Sequence, residues 1–521
     1  MDRASATIPK LLARAATQFG ARPALIGPGI SMSYRELHAR VLKAAALLAS
    51  SGVAKGDRVA IWLPNGIEFI ETALATAFVG ASTVPLNTRL KGPEVAYILN
   101  KARPKVVVSV GQFLGADYGD ILADEHLPEF SAKFRVGAGR SDWIPWSDAV
   151  TEVSENGLAS ISEIGASVEP DEIAEIMFTS GTTGFPKGTM LRHSQIVQAY
   201  SFWARQLGIT SEDRYFVIAP MFHSYGFKAG VLACVATGAA TYPLATFDVA
   251  RALDIIERDR ITVMGGPPTI FLSLLAENKS LKKDISSLRS ISMGGSVIPT
   301  SLVRTLQGMG VEIVATAYGL TEATALVTMT LPDDAPEVIA STCGRAIPGV
   351  EVRCMDANGA QLPVGEAGEI QVRGFDVMAG YFEDAEATRN AMTSDGWLRT
   401  GDIGSLDTQG YLKVTDRIKD MFIVGGFNCF PAEIERIILE CPLVAQVAVI
   451  GIPDDRMGEV GKAFVVPKAP STFAPEEFLV WCRQNMANYK VPRQVEVLDV
   501  LPRNAMGKVQ KFILRDGAAR A

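Results

Sequence analysis

Cysteine and histidine are scarce in this chain. Six cysteines (Cys234, Cys343, Cys354, Cys429, Cys441, Cys482) are scattered over 521 residues without a C-x-x-C pair, so neither a zinc ribbon nor a disulfide framework is indicated. The four histidines (His38, His126, His193, His223) never fall at H-x-x-x-H or H-E-x-x-H spacing, which excludes a helical zinc site. A reducing, cytoplasmic compartment fits this usage. Positive charge is in deficit: Lys+Arg 50 against Asp+Glu 57 leaves a net charge of −7. That excludes a nucleic-acid protein held by a broad basic surface, though not a local cationic pocket for a phosphorylated small molecule. Long apolar runs are missing too. The longest charge-free stretch, Ala229 to Phe247, contains Gly230, Gly238 and Pro243 and reads as a buried helix, a turn and a strand, not a transmembrane segment. Arg3, Lys10, Arg14 and Arg22 give the amino terminus a faint transit-peptide character. Ile8, Leu11, Leu12, Ala15 and Ala16 fall at helical spacing and predict an ordinary first helix instead. The ending Gly-Ala-Ala-Arg-Ala carries no prenylation or peroxisomal signal. No tandem repeat and no G-x-S-x-G nucleophile elbow is present.

What is present is a chain 48% hydrophobic and 21% charged, with apolar content for several cores and length for roughly three to four domains or subdomains. Short apolar runs such as Val59-Ala-Ile-Trp-Leu, Val106-Val-Val-Ser-Val, Tyr215-Phe-Val-Ile-Ala and Val263-Met alternate with amphipathic segments such as Glu68–Phe78 and Val249–Arg258. That alternation predicts an α/β fold with largely parallel sheets flanked by helices. From Gly349 onward the strands are short, glycine-bounded and alternating (Glu351-Val-Arg-Cys-Met, Gly368-Glu-Ile-Gln-Val-Arg, Gly410-Tyr-Leu-Lys-Val), as in a small β-barrel or meander over about 345–415. Beyond about residue 420, a helix at Ala432–Glu440 and a strand at Val444–Ile450 open a segment long enough for a small α+β C-terminal domain.

The most informative stretch is residues 176–188, Ile-Met-Phe-Thr-Ser-Gly-Thr-Thr-Gly-Phe-Pro-Lys-Gly. An apolar strand runs into glycines that permit close backbone approach, hydroxyls that donate hydrogen bonds, and the single cation Lys187. Together they make an anion nest. It is not a Walker A loop, because Pro186 precedes the lysine and Gly188 follows it.

Thr179-Ser-Gly-Thr-Thr-Gly-Phe-Pro-Lys-Gly resembles the signature loop of the adenylate-forming superfamily: acyl-CoA synthetases, nonribosomal adenylation domains and luciferases. Further segments match in the family's order: Tyr318-Gly-Leu-Thr-Glu, Gly396-Trp-Leu-Arg-Thr-Gly-Asp, Asp416-Arg-Ile-Lys-Asp with Gly425-Gly-Phe-Asn-Cys-Phe-Pro-Ala-Glu-Ile-Glu, and Asn504-Ala-Met-Gly-Lys. The resemblance covers nearly the whole chain and implies an AMP-forming carboxylic acid:CoA ligase. A carboxylate attacks the ATP α-phosphate to give acyl-AMP and pyrophosphate, and a thiol then displaces AMP. ATP and CoA are co-substrates and Mg2+ the cofactor.

By the same resemblance, residues 1–418 form an adenylation domain and 419–521 a mobile lid that pivots at Lys419. Thr179, Ser180, Gly181, Thr182, Thr183, Gly184 and Lys187 would hold the triphosphate. Gly295, Ser296, Ala317, Tyr318 and Gly319 would line adenine, with Thr321 at the α-phosphate and Asp402 and Arg417 on the ribose. Glu322, with Thr179, would face the metal, a hard oxygen being the ligand type Mg2+ prefers. Lys508 would be the catalytic cation between carboxylate and α-phosphate; Lys511 reads as surface. Gly294 and His223 would wall the acyl pocket, His223 as a buried wall residue and not a base. Other candidate wall residues lie within Ala199–Phe202 and His223–Lys228 and at Ala317. Gly425, Gly426 and Phe427 would line the CoA tunnel, although many relatives carry glutamate where Phe427 stands. An adenylation enzyme loading a carrier protein in trans is the alternative. A luciferase-like oxygenase shares the motifs, and a noncatalytic nucleotide-binding scaffold would be expected to lose Glu322 or Lys508. The acid is left open among medium-chain, aromatic and alicyclic types, including a steroid-degradation propanoate, and a homodimer is compatible with the sequence.

Overall fold

A computed structural model of the chain describes residues 6–179, 186–294, 298–417, 420–424, 427–454, 457–468, 473–486, 488–503 and 509–518, with backbone alone for Asp416, Arg417, Phe427 and Asn428. The predicted first helix is Ile8–Gln18; Thr7 caps it, and Ile8, Leu11, Leu12 and Ala15 are buried. The run Val106–Val110 is buried at every position, which is what a strand covered by helices on both faces requires.

Two large sheets share one core. The first orders its strands as Arg345–Ala346, Thr328–Met329, Ile313–Tyr318, Ser290–Met293, Val263–Gly266, Arg214–Val217, Ala240–Pro243, Pro23–Gly27 and Ile30–Ser33. The second runs Gly380–Tyr381, Lys187–Arg192, Ile173–Thr179, Ser82–Pro85, Arg58–Trp62, Val106–Val110, Ala132–Val136 and Ile144–Pro145. Interior pairs are parallel in both, and antiparallel pairs lie toward the edges. The charge-free stretch resolves as expected: a π-helix Phe227–Leu232 continues as the α-helix Ala233–Thr237, Gly238 turns with φ +83°, and Ala240–Pro243 is a strand. Pro23–Gly27 enters the first sheet beside that strand, Leu25 opposite Thr241. The buried Tyr34 hydroxyl anchors the region 2.8 Å from the Cys234 carbonyl and 2.6 Å from that of Ala239.

The glycine-bounded segment forms a four-stranded antiparallel sheet in the order Val350–Met355, Gly368–Gly374, Leu398–Leu406, Leu412–Arg417. It is a half-barrel: its outer strands do not pair with each other among the described residues. Arg353 and Arg373 stack their guanidinium groups 4.2 and 4.6 Å from the Trp397 ring centroid, cation–π contacts that brace this sheet. The C-terminal segment is α+β. Helix Pro431–Ile438 buries Ile434 and Ile438 against Val447, Val449 and Phe478, between strands Val444–Asp454 and Gly458–Pro467 and helix Pro475–Asn485.

Lys511 is not the surface residue expected. Its side chain is 15% exposed, and its ammonium sits 2.8 Å from Glu435 Oε1, which also accepts a hydrogen bond from the Val449 amide. All six cysteines are free. Among the described residues no helix is long and apolar enough to cross a membrane.

Candidate active site

Strand Ile173–Thr179 pairs antiparallel with Lys187–Arg192, Thr179 directly opposite Lys187. The glycine- and hydroxyl-rich stretch is therefore the connection of a hairpin, with its two ends fixed by the strands. Ser180, Gly181, Thr182, Thr183 and Gly184 lie outside the described residues; Thr179 and Lys187 are its described ends.

Parallel strands Ser290–Met293 and Ile313–Tyr318 end side by side, Met293 opposite Thr316. Gly294 and Ala317 consequently sit together at their carboxyl ends, where open α/β sheets bind ligands. Gly295 and Ser296 lie outside the described residues. After Tyr318 the chain makes a tight turn. A Cβ at Gly319 would lie 2.2 Å from the Ala325 carbonyl carbon, so a side chain there requires the backbone to move. Thr324 (φ +55°) and Ala325 (φ +61°) are consecutive left-handed residues, a costly conformation for non-glycine residues. The turn is held by Ala325 N donating to Leu320 O at 2.8 Å and Thr324 Oγ1 to Asp376 O at 2.6 Å. Thr321 and Glu322 project from this braced turn.

Two predicted motifs meet through their side chains. The Tyr318 hydroxyl donates to Asp402 Oδ2 at 2.6 Å, and Asp402 is 4% exposed. Its strand places Arg417 directly across from it; the Arg417 side chain is outside the described part. Glu322 Oε1 accepts a hydrogen bond from the Tyr381 hydroxyl at 2.9 Å, while Lys187 Nζ lies 5.3 Å from the centroid of that same ring. Burial and the Glu322 carboxylate push the Tyr381 phenol well above its ordinary range, so it is a neutral donor. Tyr381 escaped the sequence reading because its strand, Gly380–Tyr381, has no periodicity to detect.

His223 caps the short helix Ser224–Gly226, its Nδ1 accepting from the Tyr225 amide at 3.4 Å. Burial, with help from the nearby Lys228 ammonium, pushes its pKa down to about 4. It is therefore a neutral imidazole at physiological pH. Tyr225 from the same helix donates its hydroxyl to Ser292 O at 2.9 Å, tying this helix to the strand Ser290–Met293 that precedes Gly294. For two further groups the sequence gave no sign of their surroundings, Lys228 having been only the end of a candidate wall stretch. Lys228, in the π-helix, is fully buried and ion-paired to Glu175, on the strand that leads into the hydroxyl-rich loop. Asp376 is fully buried with no hydrogen-bond partner at either carboxylate oxygen among the described residues.

Lys419, Gly425, Gly426 and Lys508 lie outside the described residues, as does the side chain of Phe427. Asp420, beside Lys419, is bound by Arg515 at 2.7 Å.

Residues 12–382 match the AMP-binding enzyme family, and residues 433–508 match the AMP-binding enzyme C-terminal domain. The chain belongs to the AMP-binding enzyme family. It is 42% identical over 524 residues to the 3-[(3aS,4S,7aS)-7a-methyl-1,5-dioxo-octahydro-1H-inden-4-yl]propanoyl:CoA ligase of Rhodococcus jostii (strain RHA1), covering 99% of each chain. It is 43% identical over 511 residues to the ligase of the same name from Mycobacterium tuberculosis (strain ATCC 25618 / H37Rv), covering 98% of each. Its fold is similar to the anthranilate CoA ligase AuaEII solved in complex with anthranoyl-AMP, with a TM-score of 0.87, 26% identity and coverage of 99% and 98% of the two chains. The AMP-binding chain is an enzyme, an ATP-dependent, AMP-forming acyl-CoA ligase.

Proposed function

We propose that this ligase activates an alicyclic, ketone-bearing propanoic acid of the kind named for its two bacterial relatives. The observation that carries this reading is identity of 42% and 43% over nearly the full length of both proteins. The reaction joins two anions, so the site must neutralise charge and hold the reactants in line. In this reading the 179–187 loop and Lys187 take the terminal phosphates, and Thr321 takes the α-phosphate. Gly295, Ser296, Ala317, Tyr318 and Gly319 bound the adenine, and Asp402, already an acceptor for the Tyr318 hydroxyl, takes the ribose with Arg417. Lys508 is the cation between acid and α-phosphate. Lys419 is the pivot that withdraws it, so that CoA enters past Gly425, Gly426 and Phe427. Gly294 and His223 wall the acyl group; no base is required there, because a carboxylic acid is ionised at neutral pH.

The donor set fits a divalent cation. Glu322 is half-buried with one carboxylate oxygen held by Tyr381, and its other oxygen accepts no described hydrogen bond. Thr179 offers a hydroxyl at the loop's start. Bound there, Mg2+ would supply charge neutralisation at the phosphates. The enzyme acts in the cytoplasm in this reading.

The test is a panel of acids scored by pyrophosphate release and thioester formation with CoA or with a carrier protein as acceptor. The keto-alicyclic propanoate should lead by at least tenfold in kcat/KM and require CoA. A straight-chain fatty acid in first place, or transfer only to the carrier, would overturn the reading.

A further inference from the structure

Tyr381 stands between the lysine and the carboxylate that the proposed nucleotide site needs most. Its backbone is fixed on three sides. Tyr381 and Gly380 pair with Thr189 and Met190 of the strand that begins at Lys187. The Phe382 amide donates to Gly188 O at 2.7 Å and the Ala379 amide to Met190 O at 2.9 Å. The Tyr381 amide donates to Thr388 Oγ1 at 2.9 Å. Thr388 crowds the chain so closely that a Cβ at Gly380, whose φ is +138°, would lie 3.0 Å from its methyl carbon. The backbone that carries the ring therefore cannot easily drift from its place. Its hydroxyl holds Glu322 Oε1 and its ring lies near the Lys187 ammonium, within the range of a cation–π contact.

Lys187 makes no ion pair with Glu322 or with any other carboxylate among the described residues. Opposite charges in a half-buried site attract by several times thermal energy once they touch. A direct Lys187–Glu322 pair would quench both groups.

We propose that Tyr381 is a positioning residue for adenylation: its ring keeps Lys187 off Glu322, and its hydroxyl turns the Glu322 carboxylate so that the second oxygen faces a divalent cation. This rests on the reading of Glu322 as the metal-facing group. The phenol acts as an insulated strut, offering a π face to the cation and a proton to the anion. Phenylalanine keeps the first function and loses the second; leucine loses both.

The experiment uses the full chain with a non-hydrolysable ATP analogue and reads free Mn2+ by electron paramagnetic resonance, with melting curves run beside it. Wild type should take up Mn2+; if it does not, the reading of Glu322 fails before Tyr381 is tested. Tyr381→Phe should bind Mn2+ about 3- to 10-fold more weakly, the net worth of one typical intramolecular hydrogen bond, with its melting temperature little changed. Tyr381→Leu should bind it more weakly still. With Mn2+ alone, so that the lost phosphate contact of Lys187 does not enter, adding Lys187→Met to Tyr381→Leu should recover part of the loss that Tyr381→Leu shows under the same conditions, because no lysine remains to capture Glu322. A purely structural tyrosine would lower the melting temperature of the variants and leave Mn2+ affinity within twofold. That result, or a Lys187→Met that recovers nothing, overturns the proposal. If neither Tyr381 variant folds, the ring-carbon resonance of labelled Tyr381 in wild type must shift when Mg2+ and the analogue bind; no shift also overturns it.

Discussion

Asp376→Asn should stabilise the protein at pH 8 relative to its effect at pH 5. Asp376 is fully buried, and neither carboxylate oxygen has a partner among the described residues; burial pushes its carboxyl up to about 7. An exposed aspartate in the unfolded chain titrates near about 3.9. Between those two values the unfolded chain has released the proton while the folded chain retains it. The folded state then binds more protons, so stability falls as pH rises through this window. Below the window both states are protonated and nothing is lost; above it the penalty is constant. The separation of about three units makes the full penalty about 4 kcal/mol, of which about 3 kcal/mol accrues between pH 5 and pH 8. Asparagine cannot ionise. Whatever fixed cost its buried amide adds, the stability difference between variant and wild type should move in the variant's favour by about 3 kcal/mol across that range. The buried His193 and His223, pushed down to about 3 and about 4, give the opposite slope, losing stability as pH falls below their unfolded value. They are common to both proteins and cancel in the comparison. The assay is denaturant unfolding followed by fluorescence at pH 5, 6, 7 and 8. Parallel pH dependence in the two proteins would refute the reasoning, because it would mean that Asp376 is ionised and solvated or paired in the native state.

Lys228→Met should destabilise the chain by about 3–5 kcal/mol, because it leaves the Glu175 carboxylate buried without its cation; Glu175→Leu added to it should restore most of the loss in the same unfolding assay. Lys508→Ala should nearly abolish ATP-dependent pyrophosphate release yet spare much of the thioester formation from supplied acyl-AMP, and equal loss in both half-reactions would remove the assigned role. Gly319→Ala, whose Cβ would meet the Ala325 backbone at 2.2 Å, should displace the Thr321–Glu322 turn and raise the KM for ATP at least tenfold; unchanged ATP kinetics would show that the turn absorbs the clash elsewhere.

Local patterns carried much of the architecture. Val106–Val110, read as one of the short apolar runs alternating with helices, is a strand buried at every position, and Val249–Asp259 buries Ala252, Leu253 and Ile256 along one helical face. Motif order identified the groups that meet as Tyr318 with Asp402. Three features had no local signature. Tyr381 lies on a strand too short to show a period. Lys228 ends the candidate wall stretch His223–Lys228, and nothing near it in the chain shows that Glu175, 53 residues away, is brought against it. Lys511 follows the Asn504-Ala-Met-Gly-Lys motif as a surface lysine would, and only the fold of the C-terminal segment supplies Glu435 as its partner. Each depends on a contact between distant segments, which neither propensity nor spacing encodes. The pairing of Leu25 with Thr241 is of the same kind.

The claim beneath the functional account is that an oxygen of the acid attacks the α-phosphorus of ATP. Turnover with acid carrying 18O in both carboxyl positions measures this directly, since cleavage of the acyl-AMP by the thiol leaves one acid oxygen on the nucleotide. The account predicts one 18O per AMP formed. Unlabelled AMP, with the label recovered in inorganic phosphate or pyrophosphate, would contradict it.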